Sequence, residues 1–140
     1  MTKIVYIDGV FDLFHRGHLE SLIKAKNVFD DPTNTILLVG VVSDKDCLSY
    51  KRQPIISEDD RVEIVSNIKL VDKVIFPCPL IVDMEFIKTN SIDLVVHGFS
   101  NEADKIKQES FYENIKLHFK EIPYYSKIST TEIINKLKLL

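Results

Sequence analysis

The junction GVFDLFHRGH (Gly9–His18) separates the apolar run KIVYID (Lys3–Asp8) from LESLIKAKNVF (Leu19–Phe29). The run before it is continuous, the pattern of a strand buried on both faces. The segment after it repeats at helical spacing: Leu19, Leu22, Ile23 and Phe29 fall near one face, while Glu20, Lys24 and Lys26 lie elsewhere. A strand that passes into a helix near Gly17 opens a strand–helix–strand unit. Whether the chain repeats that unit decides the fold.

It does repeat. TILLVGVVS (Thr35–Ser43) is apolar on both parities and reads as a second buried strand. A polar loop, DKDCLSYKRQPI, leads to a helix in SEDDRVEIVSNIK. There Ser57 and Asp60 form a loose capping box, the first-turn acids suit the helix dipole, and Val62, Val65 and Ile68 hold the spacing. Further on come a short strand KVIF (73–76), a break at PCP, a helical segment over 83–89 and a buried strand DLVVHG (93–98). A helix over 108–118, a brief strand FKEIP and a final helix STTEIINKLKLL complete the series. This alternation predicts an α/β fold, a doubly wound parallel sheet with right-handed crossovers. No repeat or Gly/Ser linker interrupts it, so a single domain over residues 1–140 is expected.

Composition narrows the function. With 45% hydrophobic residues in 140 the chain can bury a real core. A formal charge of −3 argues against a broad nucleic-acid surface, so an anionic ligand has to meet a local cluster of cations. No apolar run reaches about 18 residues, so no membrane insertion is expected. The N-terminus enters a strand without a signal pattern. Cys47 and Cys78 stand outside any metal or C-x-x-C spacing and read as reduced thiols, which points to the cytoplasm.

The junction sits where open α/β sheets bind ligands, at the carboxyl end of a strand and the N-terminus of a helix. Gly9 allows a tight backbone path, and Gly17 lets the first helical turn approach a ligand. His15 and His18 stand three apart, so their rings share one side of that turn. Two imidazoles there can donate hydrogen bonds to phosphate oxygens, or they can simply pack and cap. Spacing alone leaves both open. No acid or cysteine lies at metal-site spacing from them, so no protein-held metal is expected. At the other end, KISTTEII (Lys127–Ile134) starts a helix with Ser129, Thr130 and Thr131. One hydroxyl would satisfy a cap; three behind a lysine suggest a phosphate cradle.

These residues resemble a known family. GVFDLFHRGH is similar to the G-x-F-D-x-x-H-x-G-H signature of the cytidylyltransferases, and ISTTEII to their C-terminal I-S-T-T/S motif. LLVGVVSD, KRQPIISEDDR, LVDKVIF, PCPLIVDMEFI and IDLVVHG follow in the family's order, so the resemblance covers nearly the whole chain. It implies a Rossmann-like domain, usually a homodimer, that transfers CMP from CTP to a small phosphorylated alcohol and releases pyrophosphate. The alcohol would be phosphocholine, phosphoethanolamine or glycerol 3-phosphate. An adenylyltransferase, or a nucleotide-binding module with little turnover, is the alternative.

Carried over residue by residue, the resemblance gives His15, His18, Lys51 and Arg61 catalytic roles on the phosphates. It gives nucleotide contacts to Gly9, Val10, Phe11, Gly17, Gly98, Lys127, Ile128, Ser129, Thr130 and Thr131. Asp12, Lys51, Arg52, Leu80 and Tyr112 match the alcohol site, with Asp12 as its carboxylate. Mg²⁺ would be bound through the nucleotide phosphates, and LVDKVIF would lie at the homodimer interface. Three departures stand out. Tyr124-Tyr125-Ser126-Lys127 replaces the usual R-T-E-G, Leu80 stands where choline-phosphate enzymes carry Trp, and Phe99-Ser100 replaces an acidic pair.

Overall fold

A computed structural model describes residues 1–140. Five strands, β1 (Lys3–Gly9), β2 (Thr35–Val41), β3 (Lys73–Ile75), β4 (Leu94–His97) and β5 (Phe119–Glu121), form one sheet in the order β3-β2-β1-β4-β5. Every pairing is parallel. The expected doubly wound sheet is therefore present. Its helices are α1 (Arg16–Lys26), α2 (Asp44–Tyr50), α3 (Glu58–Ser66), α4 (Met84–Thr89), α5 (Glu102–Gln108) and α6 (Thr130–Lys138).

The continuous apolar runs are explained by burial on both faces. Val5 and Ile7 of β1 join Leu37 and Val39 of β2 in one cluster with Leu22 and Ala25 of α1 and Val65 of α3. Tyr6, between them in sequence, points into the opposite cluster with Leu38, Val95, Ile87 and Ile115. Successive side chains of a strand alternate faces, so a strand with helices on both sides needs apolar residues at every position. From β1 the chain winds outward to β2 and β3, then returns to place β4 on β1's other side. That reversal opens a crevice at the carboxyl ends of β1 and β4.

Two helices were not visible in the pattern. α2 occupies the expected loop; Ser43 caps it by accepting from the Asp46 amide at 3.1 Å, and only Cys47 is buried. α5 is capped by Asn101 and buries only Gln108. Neither carries an apolar stripe, so periodicity cannot report them. In place of the helix expected over 108–118, Glu109–His118 forms short 3₁₀ turns broken by a kink at Ile115 (φ −127°, ψ 28°), and it buries Tyr112 and Ile115. Ser57 does precede α3, but its side chain makes no capping bond.

Arg61 is the main correction. Expected on a phosphate, it is fully buried in the first turn of α3. Its guanidinium donates to the carbonyls of Ile56 (3.0 Å), Val10 (2.7 Å) and Val42 (2.8 Å) and to the Asp44 carboxylate (2.6 Å). Those bonds tie the chain leaving β1 to the chain leaving β2 and to the loop before α3. Four of its five N–H groups are used in this way, and full burial keeps the fifth from a ligand. Removing one partner of a buried, hydrogen-bonded pair strands the other, at a cost of about 3–5 kcal/mol. Arg61→Met is expected to lower stability by about that much in urea unfolding. Arg61→Lys is expected to recover little of it, since an ammonium lacks the planar fork that reaches four acceptors. Loss under 1 kcal/mol in Arg61→Met would refute the clamp.

Candidate active site

Past Gly9 the chain turns sharply, with Phe11 (φ 56°) and Leu13 (φ 50°) in the left-handed region. Each costs energy for a residue with a Cβ and persists only where the surroundings hold it. Asp12, between them, does much of the holding. Its buried carboxylate accepts from the amides of Ile55 (2.9 Å) and Ile56 (2.8 Å) and from the Arg52 guanidinium (2.9 Å). Burial alone would raise this carboxyl, but those two amides and Arg52 more than offset it and hold it below its usual range. Asp12 is thus spent on its own protein and is not the free carboxylate expected for the alcohol. Gly9 is not left-handed; a Cβ on it would stand 3.0 Å from the Phe11 ring.

His15 and His18 both act as caps, and each does so through one ring nitrogen only. Nδ1 of His15 accepts from the Gly17 amide at 2.9 Å, and Nδ1 of His18 accepts from the His15 amide at 3.1 Å. Together they form a capping box at α1. A ring nitrogen that accepts carries no proton, so each neutral imidazole bears its hydrogen on Nε2. Both residues line the cleft, with ring centroids 3.9 Å apart. Burial, then His15 and Lys51, push the His18 imidazole down to about 3, against the opposing pull of Asp12; burial lowers His15 as well. At neutral pH both are uncharged donors of fixed tautomer. Gly17 makes this possible, because a Cβ there would lie 2.7 Å from Cε1 of His15.

α6 closes the cleft from the other side. Thr130 Oγ1 donates to the Asp12 carbonyl at 3.0 Å, which docks the helix start on the loop after β1. Ser129 is the cap, accepting from the Glu132 amide at 3.1 Å. Two of the three hydroxyls are therefore used within the protein. What α6 offers an anion is the amides of Thr130 and Thr131, left unpaired ahead of the capped Glu132 amide, with the Thr131 hydroxyl beside them. Ser129, Thr130 and Thr131 all line the cleft, whereas Lys127 and Ile128 do not. The Ile128 carbonyl instead lies 3.3 Å from the space a Gly17 Cβ would fill.

The cleft measures about 770 Å³ and also takes in Gly9, Val10, Phe11, Lys51, Arg52 and Gly98. Lys107 of α5 and Tyr124 line it too, unmarked by any motif. Lys51, Arg52 and Lys107 face four lining carboxylates, those of Asp8, Asp12, Asp104 and Glu132. No group of three His, Cys, Asp or Glu side chains converges to hold a metal ion.

In the cleft wall, a smaller cavity of about 30 Å³ shares Asp8, Gly9, Val10, Lys51, His97 and Gln108 with the main one. Leu80 and Tyr112 line it, as do Tyr50 and Phe111. Oδ1 of the buried Asp8 accepts from the Tyr112 hydroxyl at 2.5 Å and lies 3.0 Å from Nδ1 of His97. Burial and Asp8 raise the Tyr112 phenol far above its usual range, so it stays a donor. Asp8 is the carboxylate of this cavity. It reads in sequence as one more strand residue, and only its polarity inside an apolar run marks it.

Residues 6–136 match the model of the family described as cytidylyltransferase-like. Choline-phosphate cytidylyltransferase A of Rattus norvegicus is 35% identical over 140 residues, covering 95% of this chain and 36% of that protein. Ethanolamine-phosphate cytidylyltransferase of Arabidopsis thaliana is 41% identical over 111 residues, covering 77% of this chain and 25% of that one. The chain thus spans about a third of the length of such relatives or less. A lipopolysaccharide core biosynthesis protein of Thermoplasma volcanium, 23% identical, superposes with a TM-score of 0.67 over 91% of this chain and all of its own. That likeness concerns the fold. With the family model matching nearly end to end, and both of its motifs meeting at one cleft, this chain belongs to the cytidylyltransferase-like family.

Proposed function

We propose that the protein transfers CMP from CTP to a small phosphorylated alcohol, releasing pyrophosphate. The observation that carries this reading is the meeting, in one cleft, of two neutral Nε2–H donors with the N-terminus of α6. An oxygen of the alcohol's phosphate attacks the α-phosphorus of CTP. The new O–P bond forms as the bond to the pyrophosphate oxygen breaks. The attacking oxygen is already anionic, so no proton has to be removed and no general base is required. The protein's task is to align two repelling anions and to donate hydrogen bonds where charge gathers.

His15 and His18 serve the phosphates, and the α6 amides hold the triphosphate from the opposite side. Lys51, which lines both the cleft and the smaller cavity, grips the alcohol's phosphate where the two join. Asp8 faces a cationic head group. Three cations against four carboxylates leave the cleft short of positive charge for two polyanions. Mg²⁺ carried on the phosphate oxygens fits that deficit and supplies charge neutralisation when bound. The buried free thiols of Cys47 and Cys78 suit a reducing cytoplasm. No helix is long and apolar enough to cross a membrane. β3 is a sheet edge with Phe76 and Ile81 exposed just beyond it, which supports a homodimer through that edge; sedimentation at the mass of a single chain would remove that part of the reading.

Incubation with Mg²⁺, CTP or ATP, and each of phosphocholine, phosphoethanolamine and glycerol 3-phosphate is expected to release pyrophosphate with CTP and an amino alcohol. Release with ATP alone would make it an adenylyltransferase, and tight nucleotide binding without release a binding module. His15→Asn and His18→Asn keep a side-chain acceptor for the cap but lose the ring N–H. Each is expected to lower kcat about 100-fold with little change in melting temperature; near-native rates would end the histidines' assignment.

The depressed imidazoles also set a pH dependence. Below about pH 6.5 the unfolded chain takes up protons on His15 and His18 that the folded chain refuses, so stability falls with falling pH. Urea midpoints are expected to drop between pH 7.5 and 5, and less steeply in His18→Asn. Equal slopes would contradict the buried neutral ring.

A further inference from the structure

Beyond transfer to a phosphorylated alcohol, and resting on that reading, we propose that Gln108 makes the site selective for an alcohol bearing a primary ammonium. It would reject the N-methylated forms of the same alcohol.

Gln108 is the last residue of α5 and is buried at 3% exposure, unusual for an amide side chain. It lines both the cleft and the small cavity, whereas Asp104, four residues earlier, lines only the cleft. The two side chains are hydrogen-bonded, Nε2 of Gln108 donating to Oδ1 of Asp104. The direction of that amide follows from chemistry. Burial alone would raise the Asp104 carboxyl, but the Ser100 amide, the charge of Lys51 and Gln108 itself more than offset it. Asp104 is therefore an ionised group that can only accept, and the amide must turn its NH₂ toward it. Asp104 is itself fixed by the Ser100 amide at 2.9 Å. The carbonyl Oε1 is then the free end of Gln108. It has no partner within the protein, and it is not among the sealed, unpartnered polar atoms.

Asp8 repeats the pattern. Oδ1 is taken by Tyr112 and His97, while Oδ2 has no protein partner and is likewise not sealed off. Asp8 and Gln108 both line the cavity, so two unpaired acceptor oxygens are available to it, one of them a carboxylate oxygen. Its volume of about 30 Å³ has room for about two water-sized groups. A primary ammonium fits there, carries the complementary charge and has three N–H groups to donate. A trimethylammonium is larger and donates nothing; lodged there it would press methyl groups on the Gln108 carbonyl and leave that acceptor unpaired. Sites built to receive a hydrogen bond discriminate strongly against analogues that cannot make it. Aromatic faces, the usual partners of a quaternary ammonium, are present in Tyr50 and Phe111, but Leu80 occupies part of the wall.

The test is a methylation series: phosphoethanolamine, its N-methyl and N,N-dimethyl derivatives, and phosphocholine, each with CTP and Mg²⁺. Pyrophosphate release gives kcat/KM, and calorimetry gives the affinity of each alcohol. A stepwise fall along the series is expected, reaching about 100-fold or more at phosphocholine. In Gln108→Met, of similar shape but without the acceptor, the ratio of phosphoethanolamine to phosphocholine is expected to narrow about tenfold; an unchanged ratio in a folded variant would remove Gln108 from the selection. If that variant does not fold, the native series decides. Absence of turnover with all four would defeat the transfer reaction, yet binding in the expected order would still uphold the selectivity. A flat or reversed order overturns it, with or without turnover, and binding of none overturns both.

Discussion

The peptide unit of Ile56 is gripped from both sides. Its N–H donates to the Asp12 carboxylate at 2.8 Å, and its carbonyl accepts from the buried Arg61 guanidinium at 3.0 Å. Arg61 also holds the carbonyl of Val10, two residues before Asp12. A loop carrying the cations Lys51 and Arg52 is thereby fixed to the loop carrying His15, although the two are more than 30 residues apart. Thr130 brings α6 onto the same loop through the Asp12 carbonyl. Three walls of the cleft meet around one aspartate, and that makes two left-handed, non-glycine residues beside it tolerable. Strain of about 1–3 kcal/mol at each is offset by charge-assisted hydrogen bonds that form only in this arrangement.

That constraint also explains what the sequence could and could not disclose. Burial on both faces of a parallel sheet leaves continuous apolar runs, so KIVYID, TILLVGV and DLVVH announce their strands directly. The motifs GVFDLFHRGH and ISTTEII sit at chain positions that the sheet topology brings together, so the cleft too was legible. Polar side chains were harder, because their role depends on partners from distant segments. Arg61 and Asp12 look like ligands in sequence; in the fold their hydrogen-bonding capacity goes to backbone groups up to 51 residues away. Asp8 shows the opposite case. Within an apolar strand it passes for an irregularity, until His97 from β4 and Tyr112 from the segment before β5 build a cavity around it. α2 and α5 escaped notice because each buries a single residue. Their only signals were the caps Ser43 and Asn101, each followed three residues on by an aspartate.

The histidines show why capping and catalysis are not rival explanations. A helix N-terminus leaves amides without partners, and an imidazole that accepts from one of them through Nδ1 must carry its proton on Nε2. The cap fixes the tautomer and points a donor outward. Keeping the ring neutral then matters more than giving it charge. A cationic His18 would lie against His15 and near Lys51, in a place where burial already disfavours charge. A neutral donor adds a directed hydrogen bond without that repulsion, and it does not titrate away over the physiological range.

The same economy governs the rest of the cleft. Arg52 is neutralised by Asp12, and Tyr124, whose phenol burial raises further, contributes no charge where the family usually places an arginine. Lys51 and Lys107 remain to answer the carboxylates of Asp8, Asp104 and Glu132. On the proposed reading, a site so poor in fixed positive charge would hold polyanions mainly through oriented N–H groups and through cations that arrive with the substrates. Discrimination then falls to geometry. On the proposed reading, a rigid amide at Gln108, oriented by a carboxylate that is itself pinned by backbone, would decide which head group can bring its own positive charge into the wall of the cleft.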